Sequence, residues 1–227
     1  MKRFLAVLLS LILAAGSLFV TAFAADGKKE KVYPVILLQG YSGPKLFNQD
    51  TGEKAWGLDF DKVKEHVLND YGKELANGAK EYAKGNPDPL VDTLGTILLD
   101  VMDPIACNAD GSSKYNLDPF PKGAEATRMS TLIANGQEEY IGEKPIMTGF
   151  VEKLTQQGVE NAADYIFIYT NDWRKGQAQY AKDIDAYIDE VRALTFSDKV
   201  DIYGLSFGGQ CGASYLYYYG EKAKVHK

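Results

Sequence analysis

The sequence predicts an α/β fold, with helices on both faces of a doubly wound, mostly parallel sheet. Short apolar, β-rich runs at Val35-Ile36-Leu37-Leu38, 164–169 and 199–203 have the composition of buried parallel strands. Residues 146–157 and 176–194 carry apolar side chains at three- and four-residue spacing, as amphipathic helices do. Helices that alternate with strands along a chain are typical of doubly wound α/β proteins.

Residues 1–24 have the composition of a secretory signal peptide. Lys2 and Arg3 give a positively charged start, residues 4–23 are almost entirely apolar, and Ala22-Phe23-Ala24 fits the small-x-small rule for cleavage. We therefore predict a secreted protein whose mature domain spans residues 25–227. The alternative is anchoring by an uncleaved N-terminal helix, because the apolar run is long enough to cross a bilayer.

Residues 44–127 do not follow the alternation of helices and strands. Within them, 61–82 and 87–102 are predicted as helices, whereas 103–123 are rich in Pro, Gly, Asn and Asp and are predicted as a loop. Because segments inserted on a rigid scaffold often carry function, we predict a helical cap over the active site. The alternative is a structural embellishment without a role in binding.

Residues 204–208, Gly-Leu-Ser-Phe-Gly, match the G-x-S-x-G motif between a predicted strand and a predicted helix. That context predicts the nucleophile elbow of an α/β-hydrolase, with Ser206 as the nucleophile. The serine needs a strained turn, and side chains at Gly204 and Gly208 would collide there. The helix N-terminus stabilises negative charge on a substrate oxygen, and the backbone N–H of Phe207 is predicted to be one oxyanion donor.

A second oxyanion donor is expected from the loop after the first strand. That loop reads Gln39-Gly40-Tyr41-Ser42-Gly43, and its glycines allow the backbone to approach a ligand closely. The backbone N–H of Tyr41 is the predicted donor, and Ser42 is the alternative. A plain turn without a catalytic role is also consistent with these residues.

With these motifs, the sequence resembles the lecithin:cholesterol acyltransferase-like lipases. Residues 34–43 resemble that family's opening strand and oxyanion loop. The family's Tyr-Asp-Trp-Arg segment is matched by Tyr169-Thr170-Asn171-Asp172-Trp173-Arg174, and its Gly-His-Ser-x-Gly-Gly elbow is matched by Gly204 to Gly209. The order and spacing agree from Tyr33 to Tyr219. Two positions depart from the family pattern: Gln39 stands where the family usually has Pro, and Leu205 where it has His.

The resemblance implies a partial α/β-hydrolase fold that stops after the nucleophile elbow. Trp56 then corresponds to a lid tryptophan that contacts acyl chains, although an ordinary packing role is equally consistent with its position. Asp172, Trp173 and Arg174 are predicted to be scaffold, because a buried arginine–carboxylate pair near a strand end stabilises structure more often than it catalyses.

A serine nucleophile needs a histidine base and an acid, which in this fold follow it in the chain. The sequence contains only His66, in the insertion, and His226, which we place at the far end of the helix after the elbow. Neither position suits the base. We therefore expect an incomplete, inactive enzyme in which the lost strands leave an open sheet edge.

The function predicted is a secreted serine acyl-ester hydrolase or acyltransferase that acts on lipid esters through an acyl-serine intermediate. A non-catalytic secreted binding protein, or a thioesterase or peptidase, is the alternative. We expect transient contact between the cap and lipid. The net charge of −6 argues against nucleic acid, and the motifs imply no metal or cofactor. The sequence leaves open a disulfide between Cys107 and Cys211, although the position of Cys211 favours a small, buried free thiol.

Overall fold

The computed structural model describes residues 31–41, 43–57, 60–141 and 144–227. The predicted signal peptide and Ser42 lie outside these ranges. In chain order the elements are β1 (Val35–Leu38), β2 (Leu46–Asn48), β3 (Lys54–Trp56), α1 (Phe60–Ala83), α2 (Asp88–Met102), β4 (Leu117–Pro119), α3 (Met129–Ala134), α4 (Lys144–Gln156), β5 (Ile166–Tyr169), α5 (Gln177–Thr195), β6 (Asp201–Gly204) and α6 (Phe207–Tyr219). Five of the helices match predicted ones, and α3 was not predicted.

The central sheet has three strands in the order β5-β1-β6, and both strand pairs are parallel. Because neighbouring side chains of a strand point to opposite faces, β1 contributes Ile36 and Leu38 to one face and Leu37 to the other. Ile36 and Leu38 pack with residues of α5 and α6, whereas Leu37 packs with residues of α3 and α4. The predicted mixed α/β class, with a parallel sheet covered on both faces, is therefore confirmed.

Both edges of this sheet form backbone hydrogen bonds with another segment over part of their length, so the prediction of an open edge is wrong. On the β5 side, Arg128 forms an antiparallel bridge with Phe167, and the N–H of Ile168 donates to the carbonyl of Thr127 at 3.0 Å. On the β6 side, residues 224–227 turn back after α6 and run parallel to the strand. There the N–H of Ile202 donates to the carbonyl of Lys227 at 2.8 Å.

The pairing of residues 224–227, here called the tail, shows that the predicted position of His226 is wrong. The helix after the elbow ends at Tyr219, so His226 does not lie on it. Instead its N–H donates to the carbonyl of Val200, and its Nδ1 lies 2.9 Å from a carboxylate oxygen of Asp201. His226 therefore sits at the start of β6, one strand length of about 10 Å from the end that carries the elbow.

The insertion contains a small antiparallel sheet, β3-β2-β4, that the sequence did not predict. It replaces part of the predicted loop over 103–123 and adds strands at 46–48 and 54–56. The predicted helices α1 and α2 are present and pack against each other. Gly78 permits their close approach, because a Cβ there would lie 2.8 Å from the Cα of Leu90. In the described part of the chain, no helix combines the length and the apolar character needed to cross a membrane.

Candidate active site around Ser206

Ser206 lies in the turn between β6 and α6 and is exposed to solvent. Its backbone angles are φ 52° and ψ −117°, outside the regions that side-chain-bearing residues usually adopt. The turn is closed by short contacts, since the N–H of Gly209 donates to the carbonyl of Ser206 at 3.0 Å. The strained strand-turn-helix geometry expected of a nucleophile elbow is therefore present.

The glycines on either side of Ser206 are required by space. A Cβ at Gly208 would lie 2.0 Å from the carbonyl oxygen of Leu38, and one at Gly204 would lie 2.6 Å from the Cα of Gly209. Both distances are far below van der Waals contact, and the atoms they meet are backbone. The collisions predicted at these two positions are confirmed, and they show how tightly α6 packs on the end of β1.

The loop after β1 is tied to the elbow through the backbone. The N–H of Leu205 donates to the carbonyl of Leu38 at 3.0 Å, so the chain segments before Tyr41 and before Phe207 run side by side. Gln39, where the resembling family has proline, is buried, and its Nε2 donates to the carbonyl of Tyr169 at 3.4 Å. This side chain links the loop to the end of β5.

Tyr41 and Phe207, the predicted oxyanion donors, are neighbours. Their rings meet edge to face with centroids 5.9 Å apart. Within the described residues, no acceptor takes the backbone N–H of either residue. N–H groups that have no acceptor among the described residues can stabilise a substrate oxyanion, and that of Phe207 lies at a helix N-terminus, where negative charge is favoured. Their role as donors stays a prediction.

Aromatic rings from four segments converge beside the elbow. Trp173, which follows β5, packs against Tyr41 at 4.6 Å and against Trp56 of β3 at 5.1 Å between ring centroids. Phe207 contacts Tyr41 and also lies 5.6 Å from Tyr180 of α5. We call Tyr41, Trp56, Trp173 and Phe207 the aromatic cluster. The sequence did not predict it, because its members are brought together only by the tertiary fold.

The segment after β5 is held by a buried ion pair. Arg174 donates through Nε and Nη2 to the two carboxylate oxygens of Asp172, at 2.9 and 2.7 Å. Both side chains are almost fully buried. Arg174 also donates to the carbonyl of Ile105 and to the hydroxyl of Ser113, both in the insertion. The hydrogen bond to Asp172 is the main cause of the raised pKa of Arg174. The pair fastens the insertion to the sheet, as a scaffold residue pair does.

Neither histidine is placed to act as a base for Ser206. His66 lies on α1, where its Nε2 and Nδ1 are 2.7 and 2.8 Å from carboxylate oxygens of Asp100 and Asp70. The hydrogen bond to Asp100 raises the pKa of His66. His226 is occupied with Asp201, and its ring stacks on Tyr33 at 4.4 Å. In the described part of the chain, the hydroxyl of Ser206 thus has no imidazole partner.

The two cysteines are not paired. Cys107 is exposed in the insertion, and Cys211 is buried in α6, as predicted for a small apolar side chain. Burial raises the pKa of the Cys211 thiol to about 11, which makes it a weak nucleophile. Among the described residues, no group of three or more His, Cys, Asp or Glu side chains is arranged to hold a metal ion.

Comparisons with models of protein families, with curated proteins and with solved structures found no match.

Proposed function

We propose that the protein is a serine acyl-ester hydrolase or acyltransferase that acts on lipid esters, on a partial α/β-hydrolase scaffold. The observation that carries the proposal is the backbone of Ser206, at φ 52° and ψ −117° between a parallel strand and a helix. Strain of this kind persists only where the surrounding structure enforces it, and it is concentrated at functional sites.

In the proposed reaction, Ser206 attacks the carbonyl carbon of an ester. The backbone N–H groups of Tyr41 and Phe207 stabilise the oxyanion, the alcohol leaves, and an acyl-serine ester remains. Water or an acceptor hydroxyl then takes the acyl group and restores the serine. The resemblance puts the acid and the histidine later in the chain than Ser206. The proposal therefore assigns the nucleophile to Ser206 and the oxyanion donors to Tyr41 and Phe207.

The proposed substrate class and site of action follow from the insertion and the N-terminal sequence. The outer face of α2 exposes four aliphatic side chains, each at least 51% accessible: Val91, Leu94, Leu98 and Leu99. α2 contains acidic residues but no lysine or arginine, so the surface suits neutral or zwitterionic lipid better than anionic lipid. We propose transient contact with a lipid surface through this face, and secretion directed by residues 1–24.

A non-catalytic binding protein is the second candidate. The observation that favours it is the engagement of both histidines with carboxylates away from Ser206, which leaves the serine hydroxyl without a base among the described residues. In that case the elbow and the aromatic cluster would hold a ligand without cleaving it.

A fluorophosphonate probe separates the two candidates. We expect the folded protein to be phosphonylated at Ser206, but slowly, because neither His66 nor His226 is placed to activate the hydroxyl. Labelling should still be faster than in the urea-unfolded chain because the backbone N–H groups stabilise the developing charge. The measurement is the labelled fraction against time by intact mass, with the site located by peptide mapping.

Matched serine variants make this test specific. Ser206→Ala should abolish labelling, whereas Ser214→Ala, which removes a partly buried hydroxyl from the following helix α6, should leave the rate unchanged. Equal labelling of folded and unfolded protein, or labelling that survives Ser206→Ala, would exclude the nucleophile proposed here and favour the binding protein.

A further inference from the structure

The indole N–H of Trp173 is buried without a hydrogen-bond acceptor. Trp173 is 6% exposed, and among the described residues its Nε1 has no partner. In the described part of the chain, two other buried polar atoms share this property, Nε of Arg128 and the hydroxyl of Tyr215. Buried polar groups in folded proteins are nearly always paired, so an unpaired one at a candidate site calls for a functional explanation. Of the three residues, Trp173 is the one in the aromatic cluster.

The surroundings of Trp173 connect it to the elbow. The ring of Tyr41 lies 4.6 Å from the indole, and Tyr41 is 60% exposed, so an exposed side chain packs directly against the buried indole. Phe207, the residue after Ser206, packs against the buried group formed by Leu46, Ile105 and Trp173. Rotation of this tyrosine side chain would remove one of the rings that pack against the indole.

The backbone around Trp173 is held in place on both sides. Asp172 and Arg174, the residues on either side, form the buried bidentate ion pair, and the hydroxyl of Tyr180 donates to the carbonyl of Asp172 at 2.7 Å. A donor held by rigid neighbours loses little freedom when it binds an acceptor, and this makes it effective at a binding site.

We propose that Trp173 is a substrate-positioning residue whose Nε1–H donates a hydrogen bond to an oxygen of the bound acyl group when the Tyr41 ring moves aside. This inference rests on the proposed function. An ester has two oxygens on its carbonyl carbon, and so does the carboxylate product. The backbone N–H groups of Tyr41 and Phe207 take one oxygen, and Trp173 takes the other. The inferred ligand class is therefore a fatty acyl ester or fatty acid.

The indole N–H resonances of the unmodified protein provide the test. The chain has two tryptophans, so a ¹H–¹⁵N spectrum contains two indole signals, assigned with Trp56→Phe and Trp173→Phe. Decanoate is added below its micellar concentration. We expect the Trp173 signal to move downfield and to exchange more slowly with solvent, because its N–H acquires a carboxylate acceptor, and the Trp56 signal to move much less.

Affinity measurements on the variants separate positioning from packing. Trp173→Phe should bind decanoate about tenfold more weakly than the wild type, because it loses one hydrogen bond to a charged acceptor. Trp56→Phe, which replaces the other indole of the cluster by another aromatic ring, should stay within about threefold of wild type because the proposal gives its N–H no acyl oxygen to bind. 1-Decanol, which lacks the second oxygen, should bind wild type and Trp173→Phe equally.

An unmoved Trp173 signal on saturation with decanoate would overturn the inference, and so would equal affinities of wild type and a folded Trp173→Phe. A wild-type protein that binds no decanoate would also overturn it. Fluorophosphonate labelling of Ser206 in that same preparation would show that the nucleophile proposal survives, so the two failures are distinguishable.

Discussion

Ser206 and its glycine neighbours were predictable from the sequence because the constraint that acts on them is local. A serine at positive φ lies in a tight turn, and a Cβ added at Gly204 or Gly208 would lie 2.6 or 2.0 Å from backbone atoms. The unpaired indole of Trp173 could not be predicted in the same way. Whether its N–H finds an acceptor depends on Tyr41 and Trp56, which lie more than a hundred residues away in the chain.

Neighbouring glycines of the elbow should respond very differently to alanine. At Gly208 a Cβ would overlap the carbonyl of Leu38, whereas at Gly209 the nearest atom is the carbonyl oxygen of Gly204 at 3.6 Å. We expect Gly208→Ala to lower the free energy of unfolding by about 3 kcal/mol or more, since backbone must move. Gly209→Ala should be neutral or stabilising by up to about 1 kcal/mol, because alanine favours the helix. Urea unfolding curves measure both.

Gly208→Ala should also abolish fluorophosphonate labelling of Ser206, while Gly209→Ala should retain it. Equal stability of the two variants would contradict the close approach of α6 to β1.

At the scale of elements, long periodic segments were predictable and short paired ones were not. Helix α5 carries apolar residues at helical spacing over Gln177–Thr195, and the structure buries that face. Strands β2, β3 and β4 have three residues each, too few to show a period of two. They form because they pair with one another across the insertion. The spacing of apolar residues could not show which face of α2 is exposed, because the helix is apolar on two sides.

The exposed face of α2 leads to a prediction about lipid binding. Replacing Leu94 and Leu98 by serine should weaken partitioning onto phosphatidylcholine vesicles at least about tenfold, because each leucine contributes apolar area that leaves water in the lipid interface. Flotation with vesicles measures the bound fraction. Phe196→Ser is the matched control. It removes a side chain that is 97% exposed, at the C-terminal end of α5, and should leave partitioning unchanged.

Partitioning that Phe196→Ser reduces as much as the double variant would show that the α2 face has no special role.

For the whole molecule, the parallel sheet shows where sequence reasoning ends. Its strands, their direction and the covering of both faces follow from apolar composition and alternation with helices. The pairing of its edges does not. Thr127 and Arg128 close one edge and residues 224–227 close the other, through backbone hydrogen bonds that any side chain permits. Such bonds cannot be recognised from the amino-acid composition of a segment. This explains both the wrong prediction of an open edge and the wrong position predicted for His226.

The pairing of the tail with β6 is anchored by charge. Asp185 of α5 is 9% exposed, and it accepts hydrogen bonds from the ammonium groups of Lys222 and Lys224 at 2.5 and 2.9 Å. Burial acts to raise the pKa of Asp185, but the two lysines outweigh it, and the pKa lies below its ordinary value. Its stabilising effect is therefore present at neutral pH and is lost as the pH falls through that lowered pKa.

Asp185→Asn should loosen the tail without unfolding the sheet. An amide carries no charge to hold two ammonium groups, so we expect a loss of about 1–2 kcal/mol in local stability. The amides of Val200 and Ile202, which donate to Lys224 and Lys227, then lose about tenfold or more of their protection in hydrogen exchange at pH 7. Asp189→Asn, at an aspartate that is 52% exposed, should change protection far less. If both variants leave Val200 and Ile202 protected, backbone pairing alone holds the tail against β6.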